Sequence, residues 1–256
     1  MNLTKAGHHV FVIGHRGAPS QAPENTILSF VRAIEAGADF IEMDARRTKD
    51  GALVILHDDT LDRTTDSGGR VSEFALNELR GLDAGSWYSP VFKGAKIPTL
   101  EEVLDIAKGR ISVAVEVKVP GIERGIVSIL RRHHMIHDSM ILAGGNDQVA
   151  RNIRTVEPYA SIQGDMTLSG CTPDKEELEA SIDKLLSSSV NIASVHKRSL
   201  APKELVRLCH RRGLLVNAWP INETCEILKC LELGVDFLTT DNSELVVATL
   251  SRKGLR

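Results

Sequence analysis

Phe40-Ile41-Glu42-Met43-Asp44-Ala45, then Arg46-Arg47-Thr48-Lys49-Asp50-Gly51, then Leu53-Val54-Ile55-Leu56-His57, is the stretch that decides the fold. The outer segments are short apolar runs with β-branched residues, and each reads as a strand. The link between them is too short for a helix, and its Asp-Gly signals a hairpin. A turn centred on Asp50-Gly51 sets Asp44 opposite His57 on one face of the ladder, where the two side chains meet. A slip of one residue would part them.

Elsewhere the pattern alternates. Strands are expected at 10–14, 40–45, 53–57, 111–118, 140–143, 161–164, 192–196, 214–219 and 237–240. Helical periodicity covers 24–36, 100–107, 123–132, 148–156, 175–186, 202–212, 223–233 and 243–252. Thr99 and Pro202 mark helix starts, and Gly37, Gly109, Gly213 and Gly234 mark ends. Such alternation means parallel strands joined by helical crossovers. With the hairpin strand set aside, eight βα units remain: an α/β fold, a TIM (β/α)8 barrel. Residues 60–98 lack a clear strand and read as a small insertion on the barrel rim, within one domain spanning 1–256.

The 256 residues include 31 Lys and Arg against 34 Asp and Glu, a net charge of −3, which argues against a nucleic-acid partner. With 42% hydrophobic and 25% charged residues the chain suits a globular protein large enough to bury its own core. Cys171, Cys209, Cys225 and Cys230 form no Cys-x-x-Cys pair and read as reduced, mostly packed thiols. No signal-peptide core or membrane-length apolar run is seen, so the expected location is the cytoplasm. Nothing indicates an oligomer.

Charged residues interrupt the strands where a barrel carries its chemistry, at the C-terminal ends. His15 and Arg16 end the first strand. Glu42 and Asp44 are two apart and share the face opposite Ile41 and Met43. Glu116 and Lys118 repeat that period. Three confined carboxylates either take up protons or bind a cation, and oxygen donors suit Mg²⁺ or Ca²⁺. His15 and His57 flank them as a candidate acid/base pair. Arg16 and Lys118 point to an anionic substrate, most simply a phosphate. Each feature alone has an ordinary reading: a solvated strand face, a loop pair, a packed histidine, a self-paired Glu-Lys. Their coincidence at the ends of separate apolar runs points to metal-assisted phosphoryl transfer.

The chain at this point resembles the glycerophosphodiester phosphodiesterase family. The likeness is carried by Gly14-His15-Arg16-Gly17, Pro23-Glu24-Asn25-Thr26, Ile41-Glu42-Met43-Asp44, His57-Asp58 and Leu61-Asp62-Arg63-Thr64-Thr65. It continues through Pro98-Thr99-Leu100-Glu101-Glu102, Glu116-Val117-Lys118, Ala218-Trp219 and Thr240-Asp241, covering essentially the whole chain. The resemblance implies hydrolysis of glycerophosphodiesters, such as glycerophosphocholine or glycerophosphoethanolamine, to sn-glycerol 3-phosphate and an alcohol. It implies that Glu42, Asp44 and Glu116 ligate Mg²⁺ or Ca²⁺ and that His15 and His57 are the acid/base pair. Arg16 and Lys118 would contact phosphate, and Trp219 would wall the pocket. One histidine would deprotonate the glycerol 2-hydroxyl or a water while the other protonates the leaving alcohol.

The sequence departs from the family at Trp219-Pro220-Ile221-Asn222, at Asn242-Ser243 after Thr240-Asp241, and at Gly144-Gly145-Asn146. These leave the choice of alcohol open. Alternatives are a lysophospholipase D, a phosphoinositide-type phospholipase C, and a catalytically silent binding barrel. His133 and His137 lack the carboxylate between them that a zincin motif needs. His8 and His9 read as a solvated start, and Arg46, Arg47 and Lys49 as a basic hairpin tip. His196 is a further strand-end residue, for which pocket lining is the less favoured reading.

Overall fold

The computed structural model describes residues 9–170, 173–200 and 203–256. The start at 1–8 with His8, Cys171 and the helix-starting Pro202 lie outside the described residues. In chain order the strands are β1 (Phe11–Gly14), β2 (Phe40–Arg47), β3 (Leu53–Ile55), β4 (Ser112–Val117), β5 (Ser139–Leu142), β6 (Ser161–Asp165), β7 (Ile192–His196), β8 (Leu215–Trp219) and β9 (Phe237–Thr240). The helices are α1 (Ile27–Glu35), α2 (Leu76–Leu79), α3 (Leu100–Ala107), α4 (Glu123–Arg132), α5 (Asp147–Val156), α6 (Lys175–Ser187), α7 (Lys203–Arg211), α8 (Thr224–Leu233) and α9 (Ser243–Arg252). The sheet runs β1-β9-β8-β7-β6-β5-β4-β2-β3, and β1 also pairs with β2. That last pairing closes eight parallel strands into the expected barrel, with β3 antiparallel to β2 as the extra strand.

Alternation along each strand sorts the residues into two environments. Val12, Ile41, Met43, Val113, Val115, Ile141, Ala193, Val216 and Leu238 face the helices and are buried in the main core. Each Val, Leu, Ile or Met among them contributes roughly 1.5–3 kcal/mol of burial. The inward set begins with an apolar plug of Ile13, Ala114, Met140, Leu142, Ile192 and Phe237, with Phe40 packed on it. Phe237 stacks on Phe11 at 5.2 Å and meets Phe40 edge-on at 6.0 Å, sealing the N-terminal end. Above the plug the interior turns polar. Asn217 Nδ2 donates to Gln163 Oε1 at 2.9 Å, and Thr239 Oγ1 donates to Asn217 Oδ1 at 3.0 Å. This change of lining leaves the C-terminal mouth as the place for charged groups.

The hairpin register differs from the sequence expectation by one residue. Ala45 pairs with Ile55 and Arg47 with Leu53, so Asp44 lies opposite Leu56, whose N–H donates to the Asp44 carbonyl at 2.9 Å. The reason is the turn. Thr48 N–H donates to the Ala52 carbonyl at 3.0 Å, and Ala52 N–H returns to Thr48 Oγ1 at 2.9 Å, enclosing three residues rather than two. Gly51 takes the left-handed conformation such a loop requires, at φ 90°. β3 therefore ends at Ile55, and His57 sits in the loop beyond it.

The first helix starts later than its periodicity suggests. Thr26 is extended and caps it, with Thr26 Oγ1 accepting from Ser29 N–H, while Asn25 is left-handed at φ 55°. Glu24 and Asn25 are thereby released from the helix to the site. Within 60–98 the chain adds the short α2 and builds its own cluster from Leu61, Val71, Leu79, Ala84 and Ile97. β3 joins the two cores: Leu53 and Ile55 belong to the barrel's, Val54 and Leu56 to the insertion's. Cys209, Cys225 and Cys230 are free thiols. No described helix is long and apolar enough to cross a membrane.

Candidate active site

The three carboxylates of β2 and β4 come together. One oxygen each of Glu42, Asp44 and Glu116 lies within 4.8 Å of the others. Register explains the meeting: β2 and β4 are parallel neighbours with Asp44 beside Glu116, and Glu42 is one inward step below Asp44. Glu42 and Asp44 are almost wholly buried, at 3% and 1% exposure. Burial, then the charges of Asp44 and Glu116, push the Glu42 carboxyl far above its usual range. Burial and Asp44 also raise Glu116. Burial opposes the ionisation of Asp44 as well, but Lys118, Arg16 and His57 together overcome it and hold the group below its usual range.

The cations are interleaved with the acids. Lys118 Nζ lies 3.1 Å from Asp44 Oδ1 and 2.9 Å from Glu116 Oε1. Arg16 Nε is 3.4 Å from Asp44 Oδ2, and its Nη1 donates to Glu24 Oε1 at 2.9 Å. The Arg16 backbone N–H donates to Glu42 Oε2 at 2.8 Å. Asn25 Nδ2 donates to Asp44 Oδ2 at 2.7 Å. After these bonds Glu42 Oε1 remains buried with no hydrogen-bond partner. A buried carboxyl oxygen with no hydrogen-bond partner, beside two further carboxylates in an all-oxygen donor set, fits a hard divalent cation, whose charge would favour ionisation of Glu42.

Both histidines sit at this mouth, and each is held by a carboxylate. His15 Nδ1 and Asp241 Oδ1 are hydrogen-bonded at 2.7 Å, and Asn222 Nδ2 donates to Asp241 Oδ2 at 2.6 Å. His57 Nδ1 and Asp58 Oδ1 are likewise 2.7 Å apart. With Nδ1 committed to a carboxylate, Nε2 is the nitrogen left for proton transfer. Burial holds His57 below its usual value, against the opposing pull of Asp58. Arg46 does not extend from the hairpin tip as expected. Its Nε and Nη2 donate to the His57 carbonyl at 3.0 and 2.6 Å, anchoring the loop that carries the imidazole.

The far side of the mouth comes from β5 to β8. Trp219 meets His196 edge-on at 5.1 Å, and its Nε1 is buried without a hydrogen-bond partner. Asp165 follows Gln163 on the inward face of β6, and burial raises its carboxyl despite a hydrogen bond to Ser194. A side chain on Gly144 would place its Cβ 3.7 Å from Glu116 Oε1 and 3.8 Å from Asp165 Oδ2.

The eight residues singled out from sequence therefore gather at the C-terminal mouth of the barrel, with Glu42 deepest, inside β2, and the others nearer the strand ends or in the loops that follow. The sequence does not single out Asp241, Asp58, Glu24, Asn25 and Asp165, which the structure brings to the same mouth. Asp241 and Asp165 carried the same signal as Glu42, a charge at the end of an apolar run. Glu24 and Asn25 were hidden inside a helical pattern. His133 caps α4 beside Asp105 at 3.2 Å, away from this chemistry.

The family model described as "Glycerophosphoryl diester phosphodiesterase family" matches residues 15–245. A glycerophosphodiester phosphodiesterase of Caldanaerobacter subterraneus subsp. tengcongensis is 33% identical over 249 residues, 95% of this chain and 98% of that protein. One from Bacillus subtilis is 30% identical over 253 residues, 92% of this chain and 85% of that protein. Among solved structures, an Oleispira antarctica phosphodiesterase in complex with the product sn-glycerol-3-phosphate superposes with a TM-score of 0.83 at 28% identity. That similarity covers 95% of this chain and 97% of the other.

Proposed function

Because this chain belongs to the glycerophosphoryl diester phosphodiesterase family and is a glycerophosphodiester phosphodiesterase, we propose that Glu42, Asp44 and Glu116 hold one Mg²⁺ or Ca²⁺ beside a His15–His57 acid/base pair. The observation that carries the reading is the gathering of the three carboxylates, with Glu42 Oε1 left unpaired, between two carboxylate-held imidazoles. When bound, the cation supplies Lewis-acid stabilisation of charge at the phosphate and orients the diester.

The protein's own groups divide the remaining work. Arg16 and Lys118 give fixed positive charge for the phosphate oxygens. His57, kept neutral at pH 7 by burial, takes a proton at Nε2 from the attacking glycerol hydroxyl or water. His15 Nε2 gives a proton to the leaving alcohol oxygen. Asp58 and Asp241 hold the two rings at Nδ1 and stabilise each imidazolium as it forms. Trp219 and His196 wall the side toward β7 and β8. The substrates are small glycerophosphodiesters such as glycerophosphocholine and glycerophosphoethanolamine, handled by one barrel domain with the 60–98 insertion on its rim. The sn-glycerol-3-phosphate held as product by the Oleispira antarctica phosphodiesterase supports glycerol 3-phosphate as the product here.

The test is release of sn-glycerol 3-phosphate from both diesters, with Mg²⁺, with Ca²⁺ and in chelator. Product that depends on metal is expected. Folded protein that gives none under any metal would refute the proposal, and turnover of lysophosphatidylcholine alone would favour a lipid substrate.

A further inference from the structure

Arg63 stands outside the cluster just described, in the first loop of the insertion. Leu61, two residues before it, is fully buried in the insertion's core, and Leu61 N–H donates to the Gly69 carbonyl at 2.9 Å. From that anchor the guanidinium uses three nitrogens on two carboxylates. Nε donates to Asp58 Oδ2 at 2.6 Å. Nη1 and Nη2 donate to Glu24 Oε2 and Oε1, both at 2.8 Å. Each carboxylate has a second partner at the site: Asp58 Oδ1 holds His57 Nδ1 at 2.7 Å, and Glu24 Oε1 accepts from Arg16 Nη1 at 2.9 Å.

We infer that Arg63 is a positioning residue through which the insertion fixes both His57 and Arg16: one planar fork sets Asp58 against the imidazole and Glu24 against the phosphate-facing guanidinium. The inference rests on the roles proposed above for His57 and Arg16. Geometry argues against a purely structural part. The Arg63 side chain is 43% exposed, and both of its partners are side chains that bond onward into the site. Arg63 is the exposed member, with Glu24 and Asp58 only 11% and 29% exposed, and its fork ties the orientation of both carboxylates to one guanidinium. A lysine keeps the charge but cannot present a fork to two carboxylates at once.

The experiment measures kcat and KM for glycerophosphocholine under saturating metal in wild type, Arg63→Gln, Arg63→Lys, Asp58→Asn, His57→Ala and the double variant Asp58→Asn/Arg63→Gln, with thermal melts of each. Arg63→Gln should lower kcat on the order of 10²-fold, the usual consequence of a misplaced catalytic group. Its melting temperature should move by less than about 4 °C. Arg63→Lys should restore only part of the loss. The double variant should lose less than the product of the two single losses, because both changes release the same imidazole while only Arg63→Gln also frees the Glu24–Arg16 arm. Losses that multiply in the double variant, or a wild-type kcat in Arg63→Gln, would overturn the inference while leaving the phosphodiesterase reading intact. Full activity in His57→Ala, or no turnover by wild type, would overturn that reading and this inference with it.

Discussion

The backbone N–H of Arg16 donates to Glu42 Oε2 at 2.8 Å, so the loop after β1 is pinned to a carboxylate of β2. The bond is available because Arg16 is left-handed, at φ 53°, and Gly17 follows at φ 91°. A Cβ on Gly17 would stand 2.6 Å from the Ser29 carbonyl carbon and 2.8 Å from Phe30 N, backbone atoms that cannot turn aside. Gly17→Ala should therefore cost about 1–3 kcal/mol by chemical denaturation. It should also reduce turnover, since Arg16 and Glu42 shift together.

Glu42 gives a pH-dependent prediction of opposite sign to an ordinary salt bridge. Its folded-state pKa is raised, first by burial and then by Asp44 and Glu116. Its ionisation therefore opposes folding, with no penalty below the unfolded value of 4.5 and a growing one as pH rises toward the folded value. In chelator at about pH 8, Glu42→Gln should be more stable than wild type, and the gap should close toward about pH 4.5. Added Mg²⁺ or Ca²⁺ should raise the melting temperature of wild type and leave Glu42→Gln unmoved, while activity is lost in the variant.

Asp241 should matter through the ring it holds. Asp241→Asn replaces the acceptor of His15 Nδ1 with a group that can present an N–H there, favouring the wrong tautomer. We expect kcat to fall about 10²–10⁴-fold with KM changed little, in steady-state release of glycerol 3-phosphate. Loss confined to KM would assign Asp241 to substrate binding instead.

A second pH effect belongs to stability alone. His210 Nε2 lies 2.8 Å from Asp236 Oδ2, and that hydrogen bond raises the imidazole above 6.5. The pair's contribution is complete below the unfolded value and is lost as pH rises through the folded one. His210→Gln should thus destabilise more at about pH 5.5 than at about pH 9, by less than about 1 kcal/mol because the pair is partly exposed.

Much of the architecture could be read from pattern. The alternation of apolar runs and helical periods located all nine strands and eight of the nine helices among the described residues. The four-residue helix α2 lies in an insertion whose turns have no sustained period. The hairpin register departs by one residue because Asp50-Gly51 suits a two-residue turn, whereas Thr48 and Ala52 close a three-residue one. The spacing of Glu24 fits a helix. The Thr26 cap and the left-handed Asn25 took it out.

The order of residues by itself determined which side chains share a face and which end of each strand carries charge, because a two-residue alternation is a local property of extended backbone. That was enough to name Glu42, Asp44, Glu116, His15 and His57. Only the closed barrel decided that β2 lies between β1 and β4, which sets Asp44 beside Glu116 and ties Arg16 to Glu42. Only the packed insertion brought Arg63 across 39 positions of chain to Glu24. Such pairings depend on burial of apolar surface summed over the whole molecule, and no local stretch encodes them.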